Sequence, residues 1–129
     1  MAKYNILQEK SFAFAVRIVK LYKFLCEEQK EYVLSKQILR SGTSIGANIE
    51  EGIAGQSDKD FLSKLSISYK EARETVYWLR LLFATDYLTK EQIDSIIYDA
   101  EELCKILSKI IMTTKNNLSQ KTLKNSLNS

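Results

Sequence analysis

Glu71 and Glu74 stand three residues apart in a stretch of helical pattern, which places two carboxylates on one face. Such a pair could do general acid–base work, but at this spacing it is more often a solvated or salt-bridged face. The other parts of an active centre are missing. The chain has no histidine, which removes the commonest general base and metal ligand, and with it the Glu-x-x-His pairs of di-iron bundles. No GxGxxG or GxxxxGK loop is present to cradle phosphate. A serine or cysteine nucleophile would need a lysine base, and no SxxK context supplies one. The reading is therefore not an enzyme, with no cofactor, no metal and no small-molecule substrate.

Cys26 and Cys104 lie far apart, without a CxxC, where a helix would place a small apolar residue. They read as reduced core thiols of a cytoplasmic protein, a disulfide between them being the alternative. No signal peptide and no membrane-spanning run is legible, because the longest apolar stretches are broken by Arg17 or Arg80.

Basic residues offer a different chemistry. From Lys10 to Leu25 the chain carries Lys10, Arg17, Lys20 and Lys23 and no acid, and the last residues add Lys115, Lys121 and Lys124. These seven could contact the phosphates of RNA or DNA; the plainer alternative is a solubilising lysine surface. The net charge of +3 hides three blocks: +4 over residues 1–49, −6 over 50–104 and +5 over 105–129. Positive ends around a negative middle fit a nucleic-acid partner or complementary subunits.

A third pattern lies between these. Gln37, Arg40, Ser44, Asn48 and Glu51 fall within about 80° of one another at 100° per residue, beside the apolar stripe Leu34, Ile38, Ile45 and Ile49. This polar line is either a groove or, as we favour, an inter-helix hydrogen-bond network fixing register, with Glu71 and Glu74 as candidate partners. All four glycines, Gly42, Gly46, Gly52 and Gly55, fall in the same region. The first two would let a neighbouring backbone approach closely, and the last two would end the helix.

The elements that must position these residues are all helices. There are 129 residues, 45% hydrophobic, with no proline, enough for one core and unsuited to a turn-dense β fold. Helical patterns run over about 9–28, 33–52, 58–84 and from 89 onward. Ser57 with Asp60, and Thr89 with Gln92, read as capping boxes. The third helix should turn Phe61, Leu65, Ala72, Leu79 and Phe83 inward; the fourth, Ile93, Ile97, Ala100, Cys104, Leu107 and Ile111. The first helix carries two stripes, Phe12, Val16, Val19 and Cys26 beside Phe14, Ile18, Leu21 and Leu25. One stripe suffices for a bundle, so the second implies burial against another subunit, with Phe14 and Leu21 as the interface residues, or else a covering loop. An all-α, antiparallel up-and-down four-helix bundle over residues 1–113 follows, with 114–129 as a flexible basic tail.

The stretch Gln37-x-x-Arg40-x-x-x-Ser44-Ile45-x-x-Asn48-Ile49-x-Glu51-Gly52 resembles the signature of the four-helix bundle proteins of 23S ribosomal RNA intervening sequences. Phe61-x-x-x-Leu65 and Lys70-Glu71-Ala72-x-Glu74-Thr75-x-Tyr77-Trp78-Leu79 resemble one branch of that family. The likeness spans roughly residues 9–112. It implies a bundle that assembles as a ring, commonly a homopentamer, and kinship with the nucleic-acid-binding accessory proteins of diversity-generating retroelements. It implies no enzymatic activity. Two functions therefore stand: a sequence-tolerant nucleic-acid-binding oligomer, or an oligomeric protein-interaction scaffold presenting the acidic third and fourth helices.

Overall fold

With no proline and with glycine confined to residues 42–55, the chain has little backbone reason to leave the helix outside its loops. The computed structural model describes residues 2–128, so Met1 and Ser129, the outer ends of the expected bundle and tail, lie outside the described residues. A 3-10 turn, Ala2–Tyr4, precedes α1 (Asn5–Glu27), α2 (Leu34–Ile53), α3 (Asp58–Ala84) and α4 (Lys90–Asn128), with no strand among the described residues. Short connections force each helix to run back along the previous one. The registers show it: Ser11 and Ile18 face Gly46 and Gly42, Ser68 and Thr75 reach Ile45 and Ser41, and Lys10 and Arg17 meet Glu102 and Asp99. α1 packs chiefly on α2, and α3 on α2 and α4; the α1–α4 seam is the thinnest.

Side-chain caps hold the starts of α2, α3 and α4. Ser57 Oγ accepts from Asp60 N–H at 3.1 Å. Thr89 and Gln92 exchange both bonds of a capping box, at 3.2 and 2.9 Å. α2 has no Ser, Thr, Asp or Asn in the usual place. Instead the buried Glu31 carboxylate accepts from the N–H groups of Val33, Leu34 and Ser35 at 3.1, 3.0 and 2.7 Å. Three orphan donors and the positive end of the helix dipole are satisfied by one charge. Burial would raise this carboxyl's pKa, but the backbone donors outweigh it and hold it below the ordinary value.

The core is drawn from all four helices. Phe14, Ile18, Leu25, Ile38, Ile45, Ile49, Leu65, Leu79, Leu82, Leu103 and Leu107 are almost wholly removed from water, each worth roughly 1.5–3 kcal/mol of burial. On α1 the assignment of stripes differs from the sequence expectation. Phe14 is core and Leu21 is half-buried against it, whereas Phe12 is 72% exposed, with Val16 and Val19 open beside it. The reason lies on α2. Gly42 leaves a notch that Ile18 fills so closely that a Cβ on Gly42 would sit 2.7 Å from Ile18 Cγ1. The Phe14–Ile18–Leu25 stripe is the one that enters that notch.

Three smaller expectations change too. Phe83 is 41% exposed at the last turn of α3, and Leu82 takes its inward place. Gly52 and Gly55 do not terminate α2 through a left-handed turn, since no glycine has positive φ. A Cβ on Gly52 would meet Leu65 Cδ1 and Lys64 Cβ at 3.1 Å, so Gly52 serves close approach to α3. The left-handed residues after helices are Lys30 and Asp86, with φ of 53° and 69°. Finally, residues 114–128, expected as a flexible basic tail, continue α4 as helix. No proline or glycine follows Gly55 to stop it, and Thr114 and Thr122 hydroxyls bond back to Ile110 and Leu118 carbonyls. At 1.5 Å per residue α4 is about 58 Å long against about 40 Å for α3. Its last turns, from Ser119 to Asn128, are exposed and add nothing to the core.

Candidate functional site

The polar line on α2 reaches α3 at two positions, Arg40 and Glu51, and bonds within its own helix at two others, Ser44 and Asn48. Arg40 bridges both carboxylates of α3, reaching Glu71 at 3.0 Å and Glu74 as well. Trp78 Nε1 donates to the same Glu74 at 2.9 Å. Burial would lower the Arg40 pKa, but the two carboxylates prevail and raise it, so the guanidinium stays charged. Glu51 pairs with Lys64 at 3.2 Å. Ser44 Oγ and Asn48 Nδ2 donate to the carbonyls of Arg40 and Ser44, one turn back on their own helix. Gln37 is exposed.

A second polar row, not singled out from the sequence, lies beneath it in the core. Thr75 Oγ1 donates to Ser41 Oγ at 2.9 Å and Ser68 Oγ to the Ile45 carbonyl at 2.8 Å, all buried. Small hydroxyl residues at helical spacing were its only signal. Glu71 and Glu74 are thus bound to a guanidinium, and their negative charge has structural work.

The basic residues fare unequally. Lys10 bonds Glu102 at 3.0 Å, and that carboxylate raises its pKa. Arg17 bonds Asp99 at 2.6 Å and Ser95 Oγ at 3.0 Å. Both are struts across the thin α1–α4 seam. Lys20 and Lys23 are exposed and enter no ion pair among the described residues. Lys115, Lys121 and Lys124 ride on the projecting end of α4. At 100° per residue, Lys115 and Lys124 are on opposite sides of that helix. The structure therefore does not gather the seven candidate cations into one patch.

It gathers others. On the outer face between α3 and α4, Tyr69, Arg73, Lys105, Ser108, Lys109 and Met112 line a groove of about 500 Å³ together with Glu101 and the buried Cys104. Burial pushes the Cys104 thiol's pKa up, so it is not an activated nucleophile. Further along the same face, Tyr77, Arg80, Phe83 and Ile97 line a depression of about 590 Å³. Lys105 and Lys109 carry a sequence signal as basic residues late in a helix, where they also complement the dipole. Their neighbourhood with Arg73 has none.

On α1, Phe12, Val16 and Val19 are exposed apolar side chains. Cys26 and Cys104 are both free thiols, so the disulfide alternative is not formed. Among the described residues no group of three or more His, Cys, Asp or Glu side chains could hold a metal ion, and no helix is long and apolar enough to cross a membrane.

A family model described as 23S rRNA-intervening sequence protein matches residues 3–109. The fold is similar to the crystal structure of a protein with unknown function from the S23 ribosomal protein family of Bacteroides thetaiotaomicron. Identity is 60%, with a TM-score of 0.84 over 85% of this chain and 98% of that one. No curated protein matches the sequence.

Proposed function

Since the chain belongs to the 23S rRNA-intervening sequence protein family, we propose that it is a non-enzymatic, cytoplasmic, self-assembling protein that binds RNA or DNA without marked sequence preference. The observation that carries this reading is the second half of α4. From Lys105 to Asn128 it holds five lysines and no acid, all five exposed and none in an ion pair among the described residues. A helix that presents cations alone for about 36 Å is an electrostatic footprint for phosphate. Self-assembly rests on the Phe12–Val16–Val19 stripe, an apolar surface facing away from the core. A ring, of which the family resemblance makes a homopentamer the expected size, would multiply the lysine field.

Fluorescence anisotropy with a structured RNA and a DNA duplex, over several salt concentrations, tests the reading. The full chain should bind with steep salt dependence. A chain ending at Thr113, lacking three lysines, should show a log–log salt slope shallower by about 2–3 per chain. No binding at low salt would overturn the reading and leave the protein scaffold in its place.

A further inference from the structure

The block of residues 50–104 is acidic by sequence, yet the structure spends much of that acid in two seams. Glu71 and Glu74 face α2, where Arg40 holds them, and Asp99 and Glu102 face α1, where Arg17 and Lys10 hold them. What these pairs leave on the outer α3–α4 face is cationic on balance. Arg73, Arg80, Lys105 and Lys109 are exposed there without an ion pair among the described residues. Two carboxylates share the lining of its two grooves: Glu101 in the first, and in the second Asp94, which is tied to Lys90 at 3.0 Å.

Resting on the nucleic-acid reading, we propose that the α3–α4 face is the binding track for a single-stranded nucleic acid, with Arg73, Lys105 and Lys109 on the phosphates and Tyr77 as a stacking platform. The parts lie in the order such a ligand needs. The cationic groove of about 500 Å³ holds Arg73, Lys105 and Lys109. Next along the same two helices comes the depression of about 590 Å³ where Tyr77, 58% exposed, and Phe83, 41% exposed, present ring surface beside Arg80. From Ile97 to Lys109 the track spans about 18 Å along α4, room for several nucleotides. Sequence-tolerant single-strand binding combines these two features, cations that follow the backbone and aromatic rings on which bases stack.

α1, which carries the exposed apolar stripe, packs on α2 and α4 and not on α3, and none of Phe12, Val16 and Val19 lines the track.

The test uses the full chain and a labelled 12-nucleotide strand, as DNA and as RNA, titrated at several salt concentrations. The triple variant Arg73→Ala/Lys105→Ala/Lys109→Ala should show a log–log salt slope shallower by about 2. Tyr77→Ala should weaken binding roughly tenfold with the slope unchanged, a signature that loss of charge would not give. All the altered side chains are exposed, so circular dichroism and melting should match the parent. DNA and RNA binding alike identifies the shared phosphodiester as the ligand; preference for RNA assigns a contact to the 2′-hydroxyl, and either outcome supports the track. If the parent binds while the triple variant binds equally well, the track is refuted and the nucleic-acid reading survives. An unaltered affinity in Tyr77→Ala refutes the stacking platform. If the parent binds neither strand, the single-strand track is refuted, and if it also fails on the structured RNA and the duplex, the underlying reading falls too.

Discussion

Substituting alanine at Gly42 and at Gly46 should move stability in opposite directions, although both positions are helical and four residues apart. Alanine favours a helix over glycine by about 1 kcal/mol, so a site with free space gains that amount. At Gly46 an added Cβ would meet Ser11 at 3.4–3.5 Å, ordinary van der Waals contact. At Gly42 it would stand 2.7 and 2.9 Å from Cγ1 and Cγ2 of Ile18. Both atoms are bonded directly to Ile18 Cβ and the side chain is wholly buried, so no flexible end can swing away. The helices must part or Ile18 must leave its rotamer, an overpacking cost of about 1–3 kcal/mol. Net of propensity, Gly42→Ala should lose up to about 2 kcal/mol and Gly46→Ala should gain up to about 1 kcal/mol. In a domain of this size each kcal/mol corresponds to about 3–5 °C. Thermal melts of both variants, with a cycle through Ile18→Ala, decide the matter. The cycle should return a coupling above about 1 kcal/mol, because removing the β-branch relieves the clash. A Gly42→Ala protein that gains stability as Gly46→Ala does, with no coupling to Ile18, would refute the notch as the feature that orients α1.

Phe12→Glu should convert an assembled species into monomers in light scattering with little change in melting temperature, whereas Phe14→Glu, buried in the core, should fail to fold. Glu31→Gln removes the charge from three backbone hydrogen bonds and should cost about 1–2 kcal/mol in a denaturant titration. In the parent, the folded-state pKa of Glu31 is depressed below 4.5. Its contribution is therefore complete above that value and is lost as pH falls through the folded pKa. Glu31→Gln should flatten that acid limb of the stability curve. Asp86→Gly relieves a left-handed residue with φ of 69° and should raise stability by up to about 1 kcal/mol, read as a higher midpoint.

Legibility followed the range of the interaction. The third helix is bounded by Ser57 and ends at Ala84 as its pattern predicts, and Thr89 with Gln92 opens the fourth. Both caps act between residues three apart, so a short stretch of sequence carries them. The Arg40 lock was legible as a polar line because periodicity puts Arg40, Ser44 and Asn48 on one side, and Glu71 and Glu74 recur at the matching spacing on α3. Glu31 was missed because a glutamate two to four residues ahead of its N–H partners is not among the usual cap residues. The continuation of α4 was missed because polar composition was weighed above the absence of any helix breaker.

The sequence alone determined that the chain is helical, where most helices begin, and that no histidine is available for catalysis, since these depend on residue type and near neighbours. Tertiary structure decided which face of α1 turns inward and which charges remain free. The first depends on a notch at Gly42 that Ile18's stripe enters. The second depends on which acids and bases come within about 4 Å across a seam: Lys10 and Arg17 were consumed by Glu102 and Asp99, while Arg73, Lys105 and Lys109 were left together on the outer face. A charge's sign is written in the sequence; its neutralisation is a matter of distance, and distance between helices is set by packing.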